Sequence, residues 1–311
     1  MITKLAPKME IVKKLAEEQL NESVELTIVT SGISTYVYRI RVKNKVYYLR
    51  ILPEQNVSFA AEVKVHQTLR SKGILVPKIV HFEQKNKLIG LSIMIVEEIV
   101  GSSLIDSSYP DQLNQVLFEA GKQLALINQV KVEGFGWIDR QRWLNLVGEK
   151  KTFEEFYNSH LENDLFNISD YNFDVDEKHA IKNFLITGLT TMKRVGAHLT
   201  HGDFDFAHIY QDKGKYTGII DFGEIMGGSP LYDLGHFKIH DGDDPTKFKN
   251  LKEGYKEIVN LSYEEELEIE LWALFVGIRR LSIIHDRPWN SYHEHLIRSV
   301  KNRLTSLKRM M

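Results

Sequence analysis

Two short segments of the sequence contain residues whose types and spacing could support phosphoryl transfer. The first is His201-Gly-Asp203 and the second is Ile219-Ile-Asp-Phe-Gly223. The residues between them predict a β-hairpin, because strand-like residues flank the turn-forming sequence Asp212-Lys-Gly214. Such a hairpin would return the chain and bring Asp203 close to Asp221. Phosphoryl transfer uses one carboxylate to orient the acceptor hydroxyl and take its proton, and another to hold Mg²⁺ against the donor phosphates.

We therefore predict that Asp203 is the catalytic base and that Asp221 is a magnesium ligand. Each segment alone has a simpler interpretation, since a single His-x-Asp is common and a single Asp-Phe-Gly is a frequent turn after a strand. Their occurrence together, in this order and joined by a hairpin, favours the catalytic interpretation.

The elements that would position these residues follow from the hydrophobic pattern. β-branched and aromatic residues predict strands at 24–29, 36–42, 46–52, 79–82 and 88–96, and the helical period predicts helices at 5–20 and 60–69. Beyond a boundary near 97–101, helices are predicted at 113–127, 152–165, 177–190, 251–259, 263–284 and 292–307. We predict an α+β fold of two lobes, a small antiparallel β-rich lobe at 1–97 and a larger helical lobe at 98–311.

Composition and charge restrict the class of protein. The formal net charge is −2, whereas domains that bind nucleic acid usually carry a basic face, so we predict no nucleic-acid partner. The absence of cysteine excludes disulfides, thiolate metal sites and cysteine nucleophiles. The charged N-terminal residues lack the apolar core of a signal peptide, and the most apolar stretch, at 88–96, is too short to cross a bilayer. We predict a cytoplasmic protein that does not associate with membranes.

The two segments, with the order of the predicted elements, resemble the aminoglycoside phosphotransferase family, which is related to choline kinases and protein kinases. The resemblance covers roughly residues 22–240 and implies a bilobal protein-kinase-like fold. Asp233, within Ser229-Pro-Leu-Tyr-Asp-Leu-Gly235, matches a family position that braces the catalytic loop. His201 is expected to hold the shape of that loop rather than to transfer protons.

His208 is a departure from the family pattern. The family's loop has asparagine five residues after the aspartate, and this chain has His208 there. Imidazole is a poor ligand for Mg²⁺, although some aminoglycoside kinases resemble this chain in having the same substitution. Two interpretations stay open, a second metal ligand beside Asp221 or a hydrogen-bonding histidine of the loop.

The resemblance also implies a nucleotide site in the N-terminal lobe. Arg50 lies on the third predicted strand, where a cation grips the phosphates, and Glu62 on the following helix is its expected partner. The alternative is that both are ordinary surface charges. Further nucleotide contacts are expected from the loop between the first two strands and from the connector after the last strand, at Gly32, Ser34, Glu97 and Ile99. The implied cofactors are Mg²⁺ and either ATP or GTP as phosphate donor.

Three carboxylates near the catalytic segments suit a cationic acceptor. They are Asp205, Glu224 and Asp241, although a run such as Asp241-Gly-Asp243-Asp244 is also typical of a solvated loop. The preferred function is transfer of a γ-phosphate to a hydroxyl of an aminoglycoside-type acceptor. The alternatives are a kinase of choline, homoserine, a sugar, a macrolide or fructosamine, and a non-catalytic nucleotide-binding module. The module stays open because of His208 and because Arg50 stands where a kinase strand usually carries lysine.

Overall fold

Two units make up the chain, and each is built from its own elements. A computed structural model describes residues 6–30, 35–106, 112–141, 145–192, 196–240 and 244–311. The N-terminal unit comprises Met1–Val100 and Asp139–Leu146, and the C-terminal unit comprises Gly101–Ile138 and Val147–Met311. The short segment 139–146 therefore belongs to the first unit although it follows elements of the second in sequence.

The N-terminal unit is an antiparallel sheet with two helices. The strands are β1 (Glu25–Val29), β2 (Tyr36–Val42), β3 (Lys45–Ile51), β4 (Ile79–Glu83) and β5 (Ile93–Glu97), and the helices are α1 (Met9–Leu20) and α2 (Ala60–Ser71). The strand order is β1-β2-β3-β5-β4, and each neighbouring pair is antiparallel.

Buried side chains alternate with less buried ones along β2 and β3, so the two faces of this sheet differ. Tyr38 and Ile40 of β2, with Leu49 and Ile51 of β3, are fully buried in one cluster that includes the apolar residues of α1. Successive side chains of a strand point to opposite faces. Arg50, between two residues of this cluster, therefore lies on the other face of the sheet.

The C-terminal unit contains most of the helices and two groups of short strands. Its helices are α3 (Leu113–Ile127), α4 (Phe153–Asn158), α5 (Leu161–Asn167), α6 (Val175–Thr191), α7 (Tyr232–His240), α8 (Pro245–Lys256), α9 (Tyr263–Ile284) and α10 (Ser291–Met310). Its strands are β6 (Ser102–Ser103), β7 (Lys131–Val132), β8 (Phe135–Ile138), β9 (Gly148–Lys150), β10 (Ala197–Thr200), β11 (Ile209–Asp212), β12 (Lys215–Ile219) and β13 (Met226–Gly228). They pair in the orders β7-β10-β13-β8-β9 and β12-β11-β6.

Helix α9 forms the centre of the C-terminal unit. A capping box between Ser262 and Glu265 begins it, and every residue from Glu268 to Ile278 is buried. Trp272 is fully buried and makes edge contacts with aromatic rings of α4 and α7. Across the described residues, no helix is both long and apolar enough to cross a membrane.

The structure corrects two predicted elements. One helix was expected at 152–165, but α4 ends at Asn158, where the hydroxyl of Ser159 donates to the carbonyl oxygen of Phe156 at 2.7 Å and competes with continued helical pairing. The strand expected at 88–96 begins only at Ile93. The preceding residues form a turn, since the Asn86 side chain accepts a hydrogen bond from the Leu88 amide at 3.0 Å.

Helix α7 was not predicted at all. Its buried residues are Asp233, Leu234, Gly235, His236, Phe237 and Ile239, so it is covered on nearly all sides. A helix without an exposed face has no hydrophobic stripe with a 3.6-residue period, which is the signal that sequence analysis detects.

Candidate functional site

The hairpin predicted between the two candidate segments is present. β11 and β12 pair antiparallel, with Ile209 opposite Ile219. At the open end, the Ile220 amide donates to the carbonyl oxygen of His208 at 3.0 Å, and Nε2 of His208 lies 3.8 Å from Oδ2 of Asp221. The loop that precedes β11 therefore meets the loop that follows β12, as the sequence predicted.

A close backbone contact joins these two loops. Gly202 has a φ of +85°, and a Cβ placed on it would lie 1.9 Å from the carbonyl oxygen of Glu224. Glycine is the residue that tolerates both the positive φ and this approach. The backbone next to Asp203 thus lies directly against the turn that follows Asp221.

Asp233 of α7 holds the same loop through a buried carboxylate. It accepts hydrogen bonds from the backbone amides of His201 at 2.8 Å and Gly202 at 2.9 Å, and from Nδ2 of Asn128 at 2.9 Å. Hydrogen bonds to a charged acceptor are roughly twice as strong as those between neutral groups. These contacts support the bracing role that the family resemblance implied.

Replacing Asp233 by alanine is expected to lower the free energy of unfolding by about 3–5 kcal/mol, because three buried donors would lose their acceptor. Chemical denaturation of both proteins would measure the difference. The matched control is Asp286→Ala, at a fully exposed side chain, which we expect to change stability by less than about 0.5 kcal/mol. A loss below about 1 kcal/mol in Asp233→Ala would contradict the bracing role.

His201 is completely buried between the two loops. Its Nε2 donates to the carbonyl oxygen of Ile220 at 2.8 Å, and its Nδ1 accepts from the Asp203 amide at 3.3 Å. Burial lowers the pKa of His201 and the charge of His208 adds to this effect, so the ring is neutral and bonded to backbone on both sides. This arrangement suits a structural residue of the loop.

His208 is held by carboxylates on several sides. Its Nδ1 donates to the carbonyl oxygen of Asp203 at 2.7 Å and lies 3.1 Å from Oδ1 of Asp205. Burial lowers its pKa, but the hydrogen bond with Asp205 and the surrounding negative charges outweigh burial and raise the pKa of His208 to about 9. As long as no metal ion neutralises the surrounding carboxylates, the ring is therefore an imidazolium at neutral pH, and in that form it has no lone pair to offer a metal ion.

The carboxylate of Asp205 is bonded within the same loop. Its Oδ1 accepts from the Ala207 amide at 2.9 Å in addition to its contact with His208. Burial raises its pKa, but the hydrogen bond with His208 outweighs burial and lowers the pKa of Asp205 below its ordinary value. Glu224 is exposed, and one of its oxygens accepts from Nε1 of Trp137 at 3.0 Å.

Two residues outside the predicted set of site residues contact the carboxylate of Asp203. Nη2 of Arg280 in α9 donates to Oδ1 of Asp203 at 2.5 Å, and Nε2 of His236 in α7 lies 3.3 Å from the same oxygen. Burial raises the pKa of Asp203, but the contacts with His236 and Arg280 outweigh burial and hold that pKa well below its usual range. The signal in the sequence was the pair Arg279-Arg280 in the apolar second half of the helix predicted at 263–284, which could wall the acceptor pocket.

Asp221 lies just after β12, and solvent reaches its carboxylate. Its φ of 63° and ψ of 69° place it in the left-handed region, which is uncommon for residues other than glycine and recurs at functional sites. Its side chain is 51% exposed. No three His, Asp or Glu side chains converge into a metal cluster within the described ranges.

The N-terminal unit places Arg50 against Glu62. Nη1 of Arg50 lies 2.7 Å from Oε2 of Glu62, and the two side chains are only 12% and 3% exposed. The guanidinium also lies over the ring of Phe59, 5.3 Å from its centroid. The alternative interpretation was that both residues are ordinary surface charges. Their low exposure argues against it.

The remaining predicted nucleotide contacts are only partly covered by the structure. The Glu97 amide donates to the carbonyl oxygen of Lys78 at 2.9 Å, whereas the Ile99 amide makes no hydrogen bond with the described residues. Gly32, Ser34 and Asp241 lie outside the residues that the structure describes.

Comparison with known proteins gives one family and several similar folds. The family model described as "Phosphotransferase enzyme family" matches residues 25–263. The crystal structure of aminoglycoside phosphotransferase APH(4)-Ia matches with a TM-score of 0.70 and 18% identity, over 97% of this chain and 99% of that chain. No curated protein sequence matches this chain.

Two further crystal structures have the same fold. Spectinomycin phosphotransferase APH(9)-Ia, in complex with ADP and spectinomycin, matches with a TM-score of 0.64 and 14% identity, over 98% of this chain and 99% of that chain. A Thermobifida fusca YX-ER1 protein described as a fructosamine-3-kinase matches with a TM-score of 0.65 and 16% identity, over 94% and 98% of the two chains. These similarities confirm the predicted α+β kinase-like fold.

Proposed function

The chain belongs to the phosphotransferase enzyme family, and on that premise we propose that it transfers the γ-phosphate of a nucleoside triphosphate to a small molecule. It is a phosphotransferase with an alcohol group as acceptor. The observation that best supports the proposed reaction is the convergence of the Asp203 and Asp221 loops at the open end of one hairpin.

In the proposed reaction, the acceptor oxygen forms a bond to the γ-phosphorus as the bond from that phosphorus to the β–γ bridging oxygen breaks. The hydroxyl proton passes to Asp203, and the nucleoside diphosphate leaves. Oδ1 of Asp203 is held by Arg280 and His236. Oδ2 makes no hydrogen bond with any described residue, so we assign it as the oxygen that receives the proton.

The donor set at Asp221 fits magnesium. Mg²⁺ is commonly bound through one or two carboxylates, with water and substrate phosphates completing its coordination, and the Asp221 carboxylate is half-exposed. Mg²⁺ held there would neutralise the oxygens of the β- and γ-phosphates. For His208 we propose the loop-holding role, because its protonated ring donates to the Asp203 carbonyl and stays beside three carboxylates.

In the N-terminal unit, we propose that Arg50 binds the donor phosphates and that Glu62 aims its side chain. A buried carboxylate such as Glu62 needs a paired cation, and a guanidinium such as that of Arg50 can bind phosphate oxygens bidentately. We also propose that the Ile99 amide contacts the purine, since purine recognition through backbone groups needs an available N–H.

An aminoglycoside-type acceptor is a second, more specific candidate. Glu224 favours it, because its exposed carboxylate lies just after Asp221 and could bind an ammonium group. Asp205 gives less support, since it is already bonded to His208 and to a backbone amide.

The proposal is tested by incubating the chain with ATP or GTP and a broad panel of alcohols, with and without Mg²⁺. We expect a phosphate ester detectable by ³¹P NMR, formed only when Mg²⁺ is present. Nucleotide binding without ester formation across the whole panel would instead favour a non-catalytic nucleotide-binding module.

A further inference from the structure

Arg280 is a cation in contact with the proposed base, and part of its guanidinium is not used by the protein. Its Nη2 donates to Oδ1 of Asp203 at 2.5 Å and lies 3.0 Å from Nε2 of His236. Its Nη1 and Nε make no hydrogen bond with the described residues. The side chain of Arg280 is 30% exposed and that of Asp203 is 33% exposed, so solvent reaches both partners of this pair.

Arg279, the preceding residue of α9, forms an ion pair with a buried carboxylate. Nη1 of Arg279 lies 2.8 Å from Oδ1 of Asp164, whose side chain is only 3% exposed. That carboxylate is buried away from solvent and belongs to the protein interior. Arg280, in contrast, pairs with a carboxylate that is 33% exposed and that we assign to the reaction.

Among the described residues, Asp203 is the carboxylate that contacts Arg280. Nε2 of His236 lies 3.0 Å from Nη2 of Arg280, and Nδ1 of the same ring lies 3.0 Å from the carbonyl oxygen of Phe204. The negative charges of Asp203 and Glu224 act on the guanidinium, but Glu224 makes no hydrogen bond to it among the described residues. A partly buried guanidinium with unused donors gains most from an anionic partner.

We propose that the unused N–H donors of Arg280 bind an acidic group of the acceptor, so that the acceptor is an alcohol that also carries a carboxylate or a phosphate. This inference rests on the proposed function and narrows its acceptor class. Since Arg280 and Asp203 are in direct contact, the acid group and the reacting hydroxyl must be close in the acceptor, about 4–7 Å apart by ordinary hydrogen-bond lengths.

An acceptor that presents only ammonium groups fits this position poorly. A cation placed beside Arg280 would meet a like charge in a partly desolvated setting, where such repulsion is stronger than in water. The unused donors of Arg280 therefore favour an acid-bearing alcohol, whereas the exposed carboxylate of Glu224 favours a purely cationic aminoglycoside, which becomes the competing outcome of the test.

The test compares acceptors in pairs that differ in the acid group. Suitable pairs are glycerate with glycerol, homoserine with 3-aminopropanol, and gluconate with glucose, and phosphorylated alcohols distinguish phosphate from carboxylate. A hydrogen bond to a charged group suggests a preference of roughly 10- to 100-fold in kcat/KM for the acid member. Arg280→Gln should abolish this preference, and Arg280→Lys should retain part of it.

The ratio of the two kcat/KM values within each pair distinguishes a contact between Arg280 and the acceptor from an effect of Arg280 on Asp203. Loss of Arg280 would slow both members of a pair, because Asp203 would lose a partner, but only an acceptor contact changes their ratio. The matched control is Arg279→Lys, which keeps its charge beside Asp164 and should leave the ratio unchanged. An equal rate for both members in the unaltered protein, or a preference that survives in Arg280→Gln, would overturn the inference while leaving the proposed function intact.

If no alcohol is phosphorylated, that result counts against the proposed function itself. A binding measurement then tests the inference about Arg280 separately. Calorimetric titration with glycerate and with inorganic phosphate should show saturable binding that weakens at least 10-fold in Arg280→Gln. Absence of saturable binding by the unaltered protein, or unchanged binding by the variant, overturns the inference independently of turnover.

Discussion

Asp203→Ala is expected to slow phosphoryl transfer by about 10²–10⁴-fold, the usual contribution of a positioned general base. The affinity for the nucleotide should change little, because the base acts on the acceptor hydroxyl in the transition state more than on bound donor. Single-turnover rates and nucleotide titrations would measure the two quantities separately. The alanine variant also leaves the guanidinium of Arg280 without its contacting carboxylate, so a loss of stability must be separated from a loss of the base.

Asp203→Asn is therefore the companion variant. The amide keeps the shape of the side chain and an oxygen for Arg280, but it is a far weaker base, so its activity should fall as far as that of Asp203→Ala. The matched control is Asp176→Ala, at an exposed position in α6, which should leave transfer unchanged. Near-normal turnover in a folded Asp203→Asn protein would show that this carboxylate is not the base.

Asp221→Ala is expected to remove most of the gain in nucleotide affinity that Mg²⁺ provides, and to slow transfer by at least about 100-fold. The reason is that metal and phosphate oxygens would lose their protein carboxylate. The measurement is the dissociation constant of the nucleotide with and without Mg²⁺. If the effect of Mg²⁺ were the same in both proteins, the metal role of Asp221 would be wrong.

The backbone at this position requires its own control. Asp221 has a φ of 63°, and alanine is strained there whereas asparagine tolerates the left-handed region. Asp221→Asn should therefore fold as well as the unaltered chain and still lose the Mg²⁺ effect. A variant that loses stability but keeps its Mg²⁺ response would assign the residue to backbone geometry alone.

The hairpin and its two carboxylates could be predicted because their signals are local. Strand-like residues, a turn sequence and two short motifs lie within a single stretch of chain, and the structure pairs β11 with β12 as expected. The α+β fold could also be predicted, since most long helices carry a clear period and the strands of the N-terminal sheet are rich in β-branched and aromatic residues. The position of His208 followed from its spacing, but its charge did not, because the charge depends on the carboxylates gathered around the ring.

The sequence by itself determined which two carboxylates lie at the ends of one hairpin. Only the tertiary structure decided what holds them: Arg280 reaches Asp203 from a helix far along the chain. Arg279 and Arg280 are adjacent, yet they pair with different carboxylates, because successive helical residues point about 100° apart. Which of the two faces the site depends on how α9 packs, and packing is set by the whole core of the C-terminal unit rather than by residues near either arginine.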